Sequence, residues 1–194
     1  MAKFFFIVSG ENPTLPFAEV QAILEAENHA YSVLFKLAQI LVLESDPRCI
    51  EAVAWRSSLT RSCGPFIARC KSSTEEILNT IEKADLSPYI APGESFAVRI
   101  KRIRGSSPQI DGLSLERKIG RIIFNSVKGI KVNLKRPEKT FLGILSDENF
   151  VFGLKTVEIK AGEFIKRGPS RTVFSHSAAM PPKMARCMVN LARS

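Results

Sequence analysis

The chain has 194 residues, 45% of them hydrophobic and 24% charged, which suits one large domain or two small ones with a real core and excludes wholesale disorder. Twenty-eight Lys and Arg against nineteen Asp and Glu leave a net charge of +9. No apolar run approaches the ~18 residues of a membrane span, and Glu11 and Glu19 follow Phe4–Val8 where a secretory signal would place small residues.

In chain order, Lys3–Val8 is a β-type run ended by the turn Glu11-Asn12-Pro13. Phe17, Val20, Ile23 and Leu24 lie at helical spacing and predict a helix over Leu15–Glu27. Tyr31–Phe35 and Ala38–Leu43 suit a hairpin. Asp46 as N-cap and Pro47 in the first turn predict a helix through about Trp55. Phe66–Cys70 is a further strand, and the capping-box pair Ser73 and Glu76 opens a helix carrying Ile77, Leu78 and Ile81. The order β-α-β-β-α-β is that of a split βαβ, ferredoxin-like unit. Pro88, Pro92 and Gly93 then make residues 86–94 the best internal boundary or bend.

Ser95–Lys101 alternates, with Phe96, Val98 and Ile100 on one face and Ala97, Arg99 and Lys101 on the other. After the Gly105–Pro108 loop a helix begins near Asp111 or Ser114, its apolar face formed by Leu115, Ile119, Ile122 and Ile123. Extended segments follow at Lys131–Lys135, Thr140–Ser146 and Phe150–Ile159, the last two joined by Asp147-Glu148-Asn149. Gly162–Arg171 reads as a basic linker, and Pro181 or Pro182 opens a short helix with Met184, Met188 and Leu191 as its apolar stripe.

The charge is unevenly spread. Residues 1–94 hold eight basic and twelve acidic side chains, residues 95–171 hold seventeen and seven, and residues 172–194 hold three and none. A strongly basic middle points to a polyanion. The candidate phosphate contacts are Arg99, Lys101, Arg102 and Arg104 at one strand, Arg117 and Arg121 on the following helix, Lys131, Lys135 and Arg136 at the next strand, and Lys155. Charges alternating along strands fit a nucleic acid better than a membrane surface, which wants a basic amphipathic helix. Thirteen Phe against two Tyr and one Trp suggest core packing more than a stacking platform, so backbone and shape readout of RNA is expected.

No catalytic residue stands out. His29 sits at a helix end and His176 between two serines, and there is no G-x-S-x-G, H-E-x-x-H, P-loop or glycine-rich dinucleotide turn. Cys49, Cys63, Cys70 and Cys187 show neither C-x-x-C spacing nor a nearby His cluster, so they read as buried free thiols in a reducing, cytoplasmic compartment, with no metal site.

Ser95-Phe96-Ala97-Val98-Arg99-Ile100-Lys101-Arg102, then Ile119-Gly120-x-x-Ile123, Lys131-Val132-Asn133-Leu134-Lys135-x-Pro137 and Phe152-Gly153-Leu154 resemble a THUMP domain. Such a domain behind a ferredoxin-like unit resembles two RNA-modifying families, 4-thiouridine synthetases and archaeal-type tRNA guanine-N2 methyltransferases. The tail, Arg167-x-Pro169-x-Arg171-x-x-Phe174-x-His176 and then Met180-x-Pro182-Lys183-x-Ala185-Arg186-x-x-x-Asn190-Leu191, looks like the lead-in to the catalytic domain of the second, with Ser177 where that family usually has proline.

The resemblance implies an α/β (α+β) protein in three parts: a ferredoxin-like domain over residues 1–72, a THUMP-like RNA-binding domain over 73–161, and a basic linker with the first helix of a missing methyltransferase domain over 162–194. It implies that the module holds the acceptor end of tRNA while a catalytic domain, in a longer chain or a separate subunit, methylates a core guanosine. The glycine-rich S-adenosylmethionine motif and the D/N-P-P-Y motif do not occur, so this chain is expected to be no enzyme by itself and to need no cofactor. S-adenosylmethionine would enter only with a supplied catalytic domain. The alternatives are a 4-thiouridine synthetase-like module and a standalone RNA-binding or assembly subunit.

Overall fold

The computed structural model describes residues 1–159 and 180–194, and these form two compact units. Arg167, Arg171 and His176, read from the sequence as a linker to a catalytic domain, lie outside the described residues. The first unit comprises residues 1–63 and 157–194, the second residues 64–156. Five helices occur among the described residues, within a mixed α/β architecture.

The first unit contains β1 (Ala2–Val8), α1 (Leu15–Ala26), β2 (Tyr31–Leu37), β3 (Ile40–Ser45), α2 (Cys49–Arg56) and the start of β4 (Thr60–Lys71). Its strands lie in the order β2-β3-β1-β4, the split βαβ arrangement expected from the pattern. β1 and β3 pair antiparallel, Phe4 opposite Leu43 and Phe6 opposite Leu41. Phe4, Phe6, Val8, Leu41 and Leu43 pack with Phe17, Val20, Ile23 and Leu24 of α1 and Val53 of α2. Phe5, Ile7, Ile40 and Val42, on the other sheet face, are also buried, which is why Phe4–Val8 is continuously apolar and not alternating.

Two boundaries differ from expectation. α2 starts at Cys49 because the Asp46 carboxylate accepts from the Arg48 amide (2.9 Å), closing a turn before the helix. The apolar run after Asn149 divides at Thr156: β8 (Asn149–Lys155) belongs to the second unit, while Val157–Glu158, here β9, pairs with Ser62 and Cys63 of β4 in the first.

The second unit holds the remainder of β4, α3 (Thr74–Lys83), β5 (Ser95–Arg102), α4 (Gly112–Ser126), β6 (Lys131–Val132), β7 (Lys139–Ser146) and β8. Its strand order is β4-β8-β7-β5-β6, with β5 parallel to both β6 and β7. Ser73 caps α3 by accepting from the Glu76 amide (3.2 Å), and Asp111 caps α4 by accepting from the Leu113 amide (3.1 Å). Ile77 and Ile81 of α3 and Leu115, Ile119 and Ile123 of α4 cover the sheet residues Phe96, Phe141, Phe150 and Phe152. The Phe141 and Phe152 rings stack at 5.8 Å. The β7–β8 hairpin turns through Asp147 and Glu148, both with positive φ, as a tight turn of the right twist requires. Residues 86–94 are a turn-rich connection inside this unit.

The C-terminal helix, α5 (Pro182–Leu191), packs along α1. The Met184–Met188–Leu191 stripe is not what it buries most deeply. Cys187 and Asn190 are the buried residues, while Met188 is half exposed, because the body offers polar partners where the stripe needed apolar ones. Glu19 of α1, fully buried, accepts from the Ser58 and Leu59 amides (2.9 and 2.8 Å), the Ser57 and Ser58 hydroxyls (2.8 and 2.6 Å) and the Asn190 amide (2.9 Å).

Candidate nucleic-acid interface

The basic middle of the chain builds one side of the second unit. Residues 95–136 hold eleven basic and two acidic side chains and form β5, α4 and β6. β5 is bound along Phe96–Arg102 by β7, but on its other side β6 covers only Ser95 and Phe96. The run Lys131–Lys135, expected to be a strand, is extended for two residues only. The Asn133 side chain accepts from the Lys135 and Arg136 amides (3.2 and 3.0 Å) and donates to the Arg136 carbonyl (2.9 Å), which replaces the ladder with a turn.

The uncovered edge of β5 is satisfied by side chains. Glu116 of α4 accepts from the Ile100 amide (2.8 Å), and Arg99 donates to the Val98 carbonyl (2.9 Å) and to the Leu134 carbonyl (2.5 Å). At the start of β5, Glu138 accepts from the Ser95 amide and hydroxyl (2.7 and 2.8 Å), and these bonds hold its carboxyl below the usual range.

Between this edge, α4 and the residues after β6 lies a groove of about 460 Å³. Its walls are apolar, with Val98, Leu113, Phe124, Val132 and Leu134 among them, and Arg99, Arg117 and Arg121 stand around it. Leu113, Phe124, Val132 and Leu134 are all at least half exposed. Exposed apolar surface beside guanidinium groups is what a single-stranded nucleic acid meets well: bases and sugars lie on the apolar wall and phosphates on the cations.

The other expected contacts are placed as follows. Lys131 and Lys135 are exposed beside groove-lining Val132 and Leu134, with Arg136 exposed next in the chain. Lys101 and Arg104 are exposed at the far end of β5. Lys155 is opposite Thr140, on the far side of β7 from β5. Arg102 is half-buried and donates to the carbonyls of Ser106 (3.2 Å), Ser107 and Ile110, so its guanidinium holds the loop before α4. The apolar wall was missed in the sequence. Its signal is that Leu113 and Phe124 fall off the Leu115–Ile119–Ile123 stripe.

The family model described as the THUMP domain matches residues 71–154. The second unit carries a THUMP domain. The groove therefore lies wholly inside the THUMP part, since its lining runs from Phe96 to Leu134.

Over nearly its whole length the chain is similar to a tRNA (guanine(10)-N2)-dimethyltransferase of Methanothermobacter thermautotrophicus, 30% identical over 95% of this chain and 53% of the relative. The chain thus spans about half the length of the curated relatives it matches. TrmN from Thermus thermophilus shares the fold at TM-score 0.62 and 18% identity, over 99% of this chain and 55% of that one. A 4-thiouridine synthetase solved with RNA and ATP matches at TM-score 0.51 and 11% identity, over 79% of this chain and 41% of that one. No helix among the described residues is long and apolar enough to cross a membrane.

Proposed function

We propose that the chain is a tRNA-binding module that holds the acceptor end in the THUMP groove and positions a core guanosine for N2-methylation. The catalytic domain is supplied by residues this chain does not contain, so S-adenosylmethionine enters only with that domain. One observation carries the reading: an apolar groove with Arg99, Arg117 and Arg121 around it, lined wholly from residues 95–136, a stretch with eleven basic and two acidic side chains. The similarity to a tRNA (guanine(10)-N2)-dimethyltransferase supports methylation over sulfur transfer as the reaction served. Free thiols fit a cytoplasmic protein.

The arginines neutralise phosphates and release counterions, which supplies affinity, and the apolar wall takes the unstacked bases of a single strand. A paired stem would leave the wall unoccupied. Titration of intact tRNA and of tRNA lacking its 3′ single strand, each at rising salt, tests this. Intact tRNA should bind at least tenfold tighter, and affinity should fall with salt. Equal binding of both, or binding insensitive to salt, overturns the reading.

A further inference from the structure

An ordinary surface helix turns its apolar side inward and its charges to water. α5 does the reverse. Lys183, Arg186, Cys187 and Asn190 share the face turned to the first unit. Lys183 Nζ bonds both Glu11 carboxylate oxygens at 2.6 Å. Arg186 donates to the Arg56 carbonyl (2.7 Å) and to the Trp55 carbonyl, the last carbonyls of α2, and Asn190 donates to the Arg56 carbonyl (3.0 Å) and to Glu19. Just beyond the helix, Arg193 pairs with Glu25 at 2.5 Å. The opposite face is Pro181, Ala185, Met188, Val189 and Ala192, without a charged side chain.

That face is not isolated. Val189 lines one concavity with Trp55, the single tryptophan of the chain, which is 82% exposed, and with the ion pair Arg56–Glu27, Arg186 and Asn190; Met188 and Val189 are 50% and 53% exposed. Arg186, by grasping the end of α2, keeps Trp55 beside α5. An exposed tryptophan joined to an uncharged helix face is what the buried centre of a protein interface looks like before its partner arrives. A protein fits this face better than an RNA, because the exposed residues Met188, Val189 and Trp55 are uncharged and the cations of the helix are turned to Glu11, Glu25 and the α2 carbonyls.

We propose that Trp55 and the outward face of α5 form the docking surface for the catalytic domain. The relatives contain about as much chain again outside the stretch matched here, and the outward face of α5 is the uncharged helix face in the first unit that such a domain could cover. The helix is then a two-sided bracket: its polar side is fixed to the first unit, and its apolar side receives the domain whose direction it sets. This rests on the proposed role in tRNA methylation.

The test uses the full 194-residue chain and the unmatched half of the Methanothermobacter dimethyltransferase as a separate protein, with that enzyme's own matched half as control. Calorimetry and sedimentation should show a complex of little salt dependence, weakened at least tenfold by Trp55→Ala and by Met188→Glu. Both variants should keep the unfolding midpoint and the tRNA affinity of the parent. No complex where the control pair associates, a complex indifferent to both substitutions, or self-association of the chain through this face would each overturn the proposal. Loss of tRNA binding by the parent chain would instead strike the RNA reading, and the salt response separates the two.

Discussion

The Asn190 amide donates to Glu19 Oε1 at 2.9 Å, both residues being buried in the first unit, 171 positions apart. Glu19 gathers backbone amides, hydroxyls and this side-chain amide, so the carboxylate is a hub between α1, the Ser57–Leu59 turn and α5.

Removing the hub strands every donor around it. Glu19→Ala is expected to cost about 3 kcal/mol or more, since several buried donors lose their acceptor together. Asn190→Ala removes one donor and should cost about 1–2 kcal/mol. Urea unfolding followed by circular dichroism checks both, as a fall in midpoint without a change in slope.

Arg117 and Arg121 are exposed on α4 and face the groove. Arg117→Glu and Arg121→Glu should each weaken tRNA binding and flatten the log–log salt dependence by about 0.7 for each single-strand phosphate no longer neutralised. Arg102→Ala should show mainly as lost stability, because Arg102 grips three loop carbonyls.

Phe124 probes the apolar wall separately from its cations. Phe124→Ala is expected to weaken tRNA binding about tenfold, within the range of one base–aromatic stack, with the salt slope unchanged. An unaltered affinity in fluorescence titration would remove the wall from the interface.

Gly143 and Gly64 are packing constraints inside the THUMP unit. A Cβ on Gly143 would meet Ile100 Cδ1 and Phe150 Cε2 at 2.6 Å, and Gly143→Ala should cost about 1–3 kcal/mol. On Gly64 it would meet the Leu154 carbonyl oxygen, a backbone atom that cannot rotate away. Gly64→Ala should therefore be the more damaging of the two by thermal unfolding.

Burial pushes the Cys49 and Cys63 thiols up from an ordinary 9.0 to about 12. The folded state then favours the protonated thiol, so this contribution is complete below pH 9 and is lost as pH rises toward 12. Urea midpoints should fall progressively above about pH 9. Alkylation of both thiols at about pH 8 should be slow until the protein unfolds.

Local signals carried most of the element order. Ser73 announced its helix by capping, Phe17, Val20, Ile23 and Leu24 theirs by spacing, and the Asp147-Glu148-Asn149 segment a turn by its composition, because each of these is decided within a few residues. The start of α4 stayed open between Asp111 and Ser114, and the Asp111 cap decided it. The basic middle was equally legible, as charge needs only counting. What the sequence could not settle depended on partners far along the chain. Val157–Glu158 left β8 because Ser62 and Cys63 presented a ladder to it, and the Lys131–Lys135 strand stopped where Asn133 bonded its own neighbours. Apolar spacing named Met184, Met188 and Leu191 as the apolar stripe of α5 and left open what that stripe would meet. Tertiary structure chose Cys187 and Asn190, because a buried carboxylate 171 positions away needed the asparagine amide more than the core needed another methionine.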